Sequence, residues 1–277
     1  HSFTTRKTTL YKPMSTTTFK TGYALSGGFI KGFAHLGMIQ ALHEAGIRPD
    51  ILSGVSAGSV VSAFYADGKE PHEVVDLFET LSFKDLTSLS INRKGLLVLD
   101  DFIEFLSSNL SVKNLEELKT PVVVTATDLD HGCSVSFRSG NIAERVAASC
   151  SLPVLFTPQN IEGTWYVDGG VLMNFPVSVI REECDKIIGL NVSPLITDEY
   201  NQSILSIAQR AYHFMFQANA ISEKRKCDLL IETNGLQDYS NHELGKVEEI
   251  FLKGYNAAND ILYALKQEKR TIWNTPL

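Results

Sequence analysis

The sequence predicts an α/β fold of three layers, with helices on both faces of a mainly parallel central sheet. Three observations carry that prediction. Short apolar runs alternate with longer stretches of helical period, the pattern of strands joined by crossover helices. The run from Pro121 to Thr127 holds three consecutive valines and is apolar on both faces, as a buried parallel strand is. Two of the predicted strands run through glycine-containing turns directly into helical stretches.

The elements follow in order. Residues 1–20 read as a polar N-terminal arm, in which Arg6, Lys7, Lys12 and Lys20 stand among Ser and Thr with no acid. A targeting peptide is the sharper alternative, but no apolar signal core is present. Residues 21–277 are expected to form one domain, with no fixed-period repeat and no long linker. Tyr23-Ala24-Leu25 reads as the first strand, followed by a glycine-rich turn and a helix from Lys31 to Ala45. Gly46 stands just past it, where a left-handed residue commonly closes a helix. Ile51-Leu52-Ser53 reads as the second strand, with a turn and a helix from near Ser59 to about Ala66. The valine run is the third strand and a central one. Lys186 to Val192 and Leu229 to Glu232 read as later strands, each near a long helical stretch.

Composition narrows the function classes. Of 277 residues, 44% are apolar and 21% charged, ordinary globular proportions. The balance of 25 basic against 32 acidic residues, 25 − 32 = −7, argues against a nucleic-acid binder, which needs a basic face. No run approaches the eighteen or so apolar residues of a membrane-spanning helix. Cys133, Cys150, Cys184 and Cys227 fit neither a disulfide framework nor a CxxC metal site. The expectation is a soluble, reduced, cytoplasmic protein.

Three motifs sit where strands meet turns. Gly54-Val55-Ser56-Ala57-Gly58 follows the second strand and opens a helix. A serine on such a turn is held out at the top of the sheet, and its glycines permit close backbone approach. The helix N-terminus behind it favours developing negative charge. Ser26-Gly27-Gly28-Phe29-Ile30-Lys31-Gly32 can present several backbone N–H groups to an anion. It is not a nucleotide loop of either common kind. Gly32 follows Lys31 where a phosphate-binding loop needs Ser or Thr, and Phe29 breaks the dinucleotide glycine spacing. An oxyanion-binding loop fits better. Trp165-Tyr166-Val167-Asp168-Gly169-Gly170 is a short strand ending in an acid on a glycine turn. Alone, Asp-Gly is commonly no more than a turn; its weight comes from the combination.

Taken in chain order, the three motifs resemble the patatin-like phospholipase family: a glycine-rich oxyanion loop, a G-x-S-x-G elbow, then a D-G-A or D-G-G turn. The stretch from Lys31 to Gly37 is similar to the family's K-G-x-x-H-x-G helix start, and Ala148 to Pro158 to the segment ahead of its acid. The likeness covers about residues 21–190 well and the C-terminal third loosely. It departs at Phe29, where the family usually has another glycine. The resemblance implies a serine acyl hydrolase acting on carboxylic esters of lipids, of phospholipase A or lysophospholipase type. It implies a dyad of Ser56 and Asp168 without histidine, an acyl-enzyme intermediate and no cofactor. The oxyanion donors would be the N–H groups of Gly27, Gly28 and Phe29, supported by Lys31, Gly32, Gly54, Gly58, Gly169 and Gly170. The partner is a lipid or fatty-acyl ester, with transient membrane-surface contact and no nucleic acid.

Other residues read two ways. His35 is the tempting base, since serine hydrolases commonly use one, yet a structural role is favoured. The remaining histidines fall in no pattern that reaches Ser56. His35 and His43 are eight apart rather than three or four, so no metal site is expected. Lys31 either attracts an anionic head group or is a solvated helix-start lysine. The apolar stretches from Gly95 to Leu99 and from Ile204 to Ala220 read as core, although either suits the wall of an acyl-chain pocket. An acyltransferase on the same fold is the first alternative, and it calls for a downstream histidine and a carboxylate-binding arginine, for which Arg138, Arg145 and Arg181 are available. A non-catalytic lipid-binding regulatory protein is the second.

Overall fold

The structure, a computed structural model, describes residues 18–89, 95–193, 202–233, 235–236, 239, 244–268 and 270. The polar arm lies outside these residues except for 18–20, of which Phe19 and Lys20 already belong to the first strand. The described strands are β1 (Phe19–Leu25), β2 (Ile51–Val55), β3 (Ser88–Leu89), β4 (Leu97–Val98), β5 (Val122–Asp128), β6 (Cys133–Phe137), β7 (Gln159–Ile161), β8 (Thr164–Asp168), β9 (Cys184–Asn191) and β10 (Leu229–Glu232). The helices are α1 (Ala34–Glu44), α2 (Ala57–Asp67), α3 (Pro71–Glu79), α4 (Asp100–Asn109), α5 (Ile142–Cys150), α6 (Gly170–Met173), α7 (Ser178–Arg181), α8 (Ile204–Lys224) and α9 (Val247–Gln267).

The main sheet has the order β10-β9-β1-β2-β5-β8-β7, with β6 also paired to β5. The five strands from β10 to β5 are mutually parallel, whereas β6, β7 and β8 join antiparallel. Every residue of β2 and β5 is buried, as strands covered by helices on both faces require.

The period-2 alternation of side chains sorts the core into two layers. Tyr23, Leu25, Leu52, Val122, Val124, Ile188 and Leu190 face one way, into a cluster with residues of α1, α2, α3 and α9. Their chain neighbours Ala24, Ile51, Val123 and Ile187 face the other way, onto Phe175, Val177, Ile180 and Ala220. This is the three-layer α/β/α arrangement.

Two of the boundaries that differ from the sequence reading lie at the turns that carry the first two motifs. The expected helix from Lys31 opens as a tight 3₁₀ turn, Phe29–Phe33, and becomes α-helical at Ala34. There Gly32 packs against Ala57 so closely that a Cβ at Gly32 would overlap the alanine methyl. Helix α2 begins at Ala57 rather than near Ser59, with Ser56 as the residue that caps it. Gly46 does carry the expected left-handed φ, +75°.

Topology brings the Ser56 elbow and the Asp168 turn together. Residues 124–125 of β5 pair with both β2 and β6, so those two strands occupy opposite edges. Residues 126–128 pair with both β6 and β8, which puts β8 on the edge that β2 occupies. Strand β2 runs parallel to β5 and β8 antiparallel, so their C-terminal ends meet head-on. Val55 stands opposite Thr125 and Asp168 opposite Ala126, the next residue. A hairpin grown on a parallel sheet thus carries an acid to the residue after β2, which is Ser56.

Candidate active site

Ser56 sits between β2 and α2 with φ 51° and ψ −126°, a backbone region that L-residues rarely occupy and that persists only when surroundings fix it. Three contacts fix it. The Ser56 N–H donates to Ser149 Oγ at 2.7 Å, and the Ser149 hydroxyl donates in turn to the Thr125 carbonyl at 2.6 Å. The Ser59 hydroxyl donates to the Ser56 carbonyl at 2.6 Å. The flanking glycines are required by space: a Cβ on Gly58 would lie 2.7 Å from the Ser26 carbonyl oxygen, and one on Gly54 2.6 Å from the Gly58 carbonyl carbon.

Asp168 ends β8 at 2% exposure. Ser56 Oγ donates to its Oδ2 at 2.8 Å, and the Gly170 N–H donates to its Oδ1 at 2.7 Å. Its backbone is tied as well: its N–H donates to the Ser151 carbonyl at 2.9 Å, and Thr127 Oγ1 donates to its carbonyl at 3.0 Å. Burial pushes the Asp168 carboxyl up to about 7, against the downward pull of the Gly170 N–H and the Ser56 hydroxyl. Gly169 and Gly170 form the turn behind it, where a Cβ on Gly169 would stand 2.8 Å from a Val55 methyl and one on Gly170 2.8 Å from Asn174 Oδ1.

The glycine loop closes over the serine. A Cβ on Gly27 would lie 3.4 Å from Ser56 Cβ. The Gly27 N–H, however, already donates to the Asn174 carbonyl at 3.0 Å, which leaves Gly28 and Phe29 of the three expected donors. Their N–H groups, and that of Ala57 at the start of α2, make no hydrogen bond among the described residues. Phe29 holds φ +55°. Lys31 is buried at 6% exposure, unlike a solvated helix-start lysine.

His35 is fully buried. Its Nε2 donates to the Leu190 carbonyl at 3.1 Å, and burial lowers its pKa to about 3. It is therefore a neutral imidazole, tied to β9. Arg138, Arg145 and Arg181, the arginines available to an acyltransferase for holding a carboxylate, are paired with Glu183, Glu144 and Asp228. Among the described residues no group of three His, Cys, Asp or Glu side chains is placed to hold a metal, and no helix is long and apolar enough to cross a membrane.

Ser56 opens into a cavity of about 760 Å³, its open mouth included, walled mainly by apolar side chains such as Phe29, Phe78, Phe102 and Phe156. The Gly95-to-Leu99 stretch supplies Leu99 to this wall. None of the lining residues comes from the Ile204-to-Ala220 stretch.

Sequence reasoning missed three contributors. Ser149 clamps both halves of the site, its hydroxyl on the Ser56 N–H and its carbonyl on the Gly169 N–H. Cys150 lines the cavity, its thiol pushed up by burial and by the Asp168 charge. Asn174 receives the Gly27 N–H and gives its own to Asn219 Oδ1 of α8 at 2.7 Å, while Asn219 Nδ2 donates to the Gly170 carbonyl at 2.8 Å. The segment ahead of the acid and the residues after Asp168-Gly169-Gly170 were visible in the chain. Their roles depend on contacts formed only by the fold.

Known proteins resemble this chain in sequence and in fold. The profile of the patatin-like phospholipase family matches residues 23–180. An uncharacterized NTE family protein of Mycobacterium tuberculosis is 31% identical over 160 residues, 57% of this chain and 44% of that protein. The chain thus spans less than half the length of this relative. Lysophospholipase NTE1 of Cryptococcus neoformans is 30% identical over 173 residues, 58% of this chain and 10% of that protein. Among solved structures, VipD from Legionella pneumophila superposes with a TM-score of 0.51 over 89% of this chain and 67% of that one, at 17% identity. That likeness is one of fold.

Proposed function

We propose that this chain, which belongs to the patatin-like phospholipase family, hydrolyses carboxylic esters of lipids through Ser56 and Asp168, as a phospholipase A or lysophospholipase. The observation that carries the reading is the 2.8 Å hydrogen bond from Ser56 Oγ to a buried carboxylate beside an apolar cavity. Asp168 takes the serine proton as Oγ attacks the ester carbonyl carbon. The Gly28 and Phe29 N–H groups, with that of Ala57, receive the oxyanion, each such donor being worth about 10²–10³ in rate. Collapse of the tetrahedral intermediate expels the alcohol, which takes the proton held on Asp168. Water then attacks the acyl-enzyme, giving a proton to Asp168; the acyl–Oγ bond breaks, Ser56 Oγ takes that proton back, and the free acid departs. No cofactor enters this sequence.

The relative named lysophospholipase supports a lipid substrate. The outward face of α8, with exposed Ile204, Ile207, Phe214 and Ile221, suits transient contact with a lipid surface, and free cysteines suit the reducing cytoplasm.

Turnover of p-nitrophenyl esters, a phospholipid and a lysophospholipid tests the reading together with fluorophosphonate labelling. Wild type should hydrolyse at least one lipid ester and be labelled at Ser56, and Ser56→Ala should do neither. Persistent labelling of the variant would move the nucleophile elsewhere, and lipid association without turnover would make the chain a binder.

A further inference from the structure

We infer that Phe29 sets the girth of acyl group admitted beside the reacting carbonyl, favouring straight chains over chains branched at the first carbons; this rests on the ester-hydrolase reading above. Phe29 holds φ +55°, a conformation suited to glycine, yet carries one of the largest side chains. Its ring lines the same cavity as Ser56. It stacks on Phe156, with centroids 6.4 Å apart and planes inclined by 18°, and Phe156 meets Phe83 at 6.1 Å. Three rings thus form one wall. Two residues before Phe156, Val154 also holds a positive φ, +71°, and its carbonyl accepts the Leu96 N–H at 3.1 Å. Strained residues of this kind persist where the surroundings over-determine them, and they cluster at functional sites.

The geometry ties this wall to the reaction centre. The residue that offers an N–H to the oxyanion also carries the ring. An acyl group whose oxygen faces the Phe29 N–H must therefore lead its first carbons past that ring. A straight chain slides along the aromatic face, but a substituent on the carbon next to the carbonyl meets it. Glycine at this position would keep the N–H donor, suit the backbone better and leave the space open.

The test compares kcat/KM for p-nitrophenyl hexanoate and p-nitrophenyl 2-ethylhexanoate. The ratio cancels any change in oxyanion stabilisation common to both esters. Phe29→Gly should lower the straight-to-branched ratio about tenfold or more relative to wild type, the scale of discrimination a filled or vacated apolar space provides. Phe156→Leu removes the stacking partner without touching the oxyanion loop and should lower the ratio in the same direction, which decides the matter if Phe29→Gly does not fold. An unchanged ratio in the folded variants, with Ser56 still labelled by fluorophosphonate, would overturn the inference and leave the proposed function standing. A wild type that is neither labelled nor active on any ester would overturn both.

Discussion

Two neighbouring turns in this molecule begin alike and end differently. Strands β1 and β2 run parallel, with Leu25 opposite Gly54, and each leads through a turn into a helix. Each turn holds an L-residue at positive φ, Phe29 at +55° and Ser56 at +51°. The supports differ in kind. Ser56 is fixed by the hydrogen bonds it donates to Ser149 and Asp168 and the one it accepts from Ser59, whereas Phe29 is fixed through an aromatic stack. A polar buttress orients a hydroxyl and controls its proton. An apolar one aims a backbone N–H while shaping the space beside it. On this reading the Ser56 turn serves the chemistry and the Phe29 turn the fit, so damage to the Ser56 turn should cost far more activity.

The largest expected loss comes from the carboxylate. Asp168→Asn keeps the shape but removes the base, and kcat should fall by roughly 10²–10⁴ in a steady-state ester assay. The same variant has a signature in stability. The folded carboxyl titrates at about 7, above the ordinary value near 3.9. The native state therefore binds the extra proton between those values. Its contribution is fully present below about pH 4 and is lost as pH rises through about 7. Thermal melts should show Asp168→Asn gaining Tm relative to wild type above pH 7, with the gain vanishing toward pH 4. A variant less stable than wild type at pH 8 would mean that Asp168 is not a strained buried charge.

A smaller loss should follow from removing the polar buttress. Ser149→Ala leaves the buried Ser56 N–H without its partner, a cost of about 1–3 kcal/mol in stability by chemical denaturation. The expected fall in kcat is roughly tenfold, with KM little changed. Equal kcat at matched folding would show that the elbow holds its geometry without this clamp.

The smallest effect should come from His35→Gln. The amide can still donate to the Leu190 carbonyl, and a ring with a pKa of about 3 is no base at neutral pH. Activity of the folded variant within about threefold of wild type is the expectation, and a loss comparable to that of Asp168→Asn would replace the dyad with a histidine mechanism.

This ordering also explains what the chain disclosed before folding. The parallel strands and the Ser56 elbow were legible because both are local: a valine run apolar on two faces, and glycines bracketing a serine. The antiparallel strands β6 and β7 were not read, since Cys133–Phe137 and Gln159–Ile161 are short and mixed in polarity, and their pairing is set by β5 and β8. The meeting of Ser56 with Asp168 was inferred from family pattern. Its physical cause, two strands ending head-on along one edge of β5, is a property of the sheet. Gly27 was read as a donor because glycine loops present N–H groups. Its engagement by the Asn174 carbonyl depends on a residue well over a hundred positions away, which no local motif encodes.

The central claim is that Asp168 serves as the base for Ser56, and the rate of Ser56 phosphonylation by a small fluorophosphonate, followed against pH, tests it most directly. For wild type the account predicts a rate that rises through about pH 7, as the carboxyl ionises, and then levels. Asp168→Asn should be slow and show no such limb. The same rising limb in Asp168→Asn, or its disappearance in folded His35→Gln, would contradict the account.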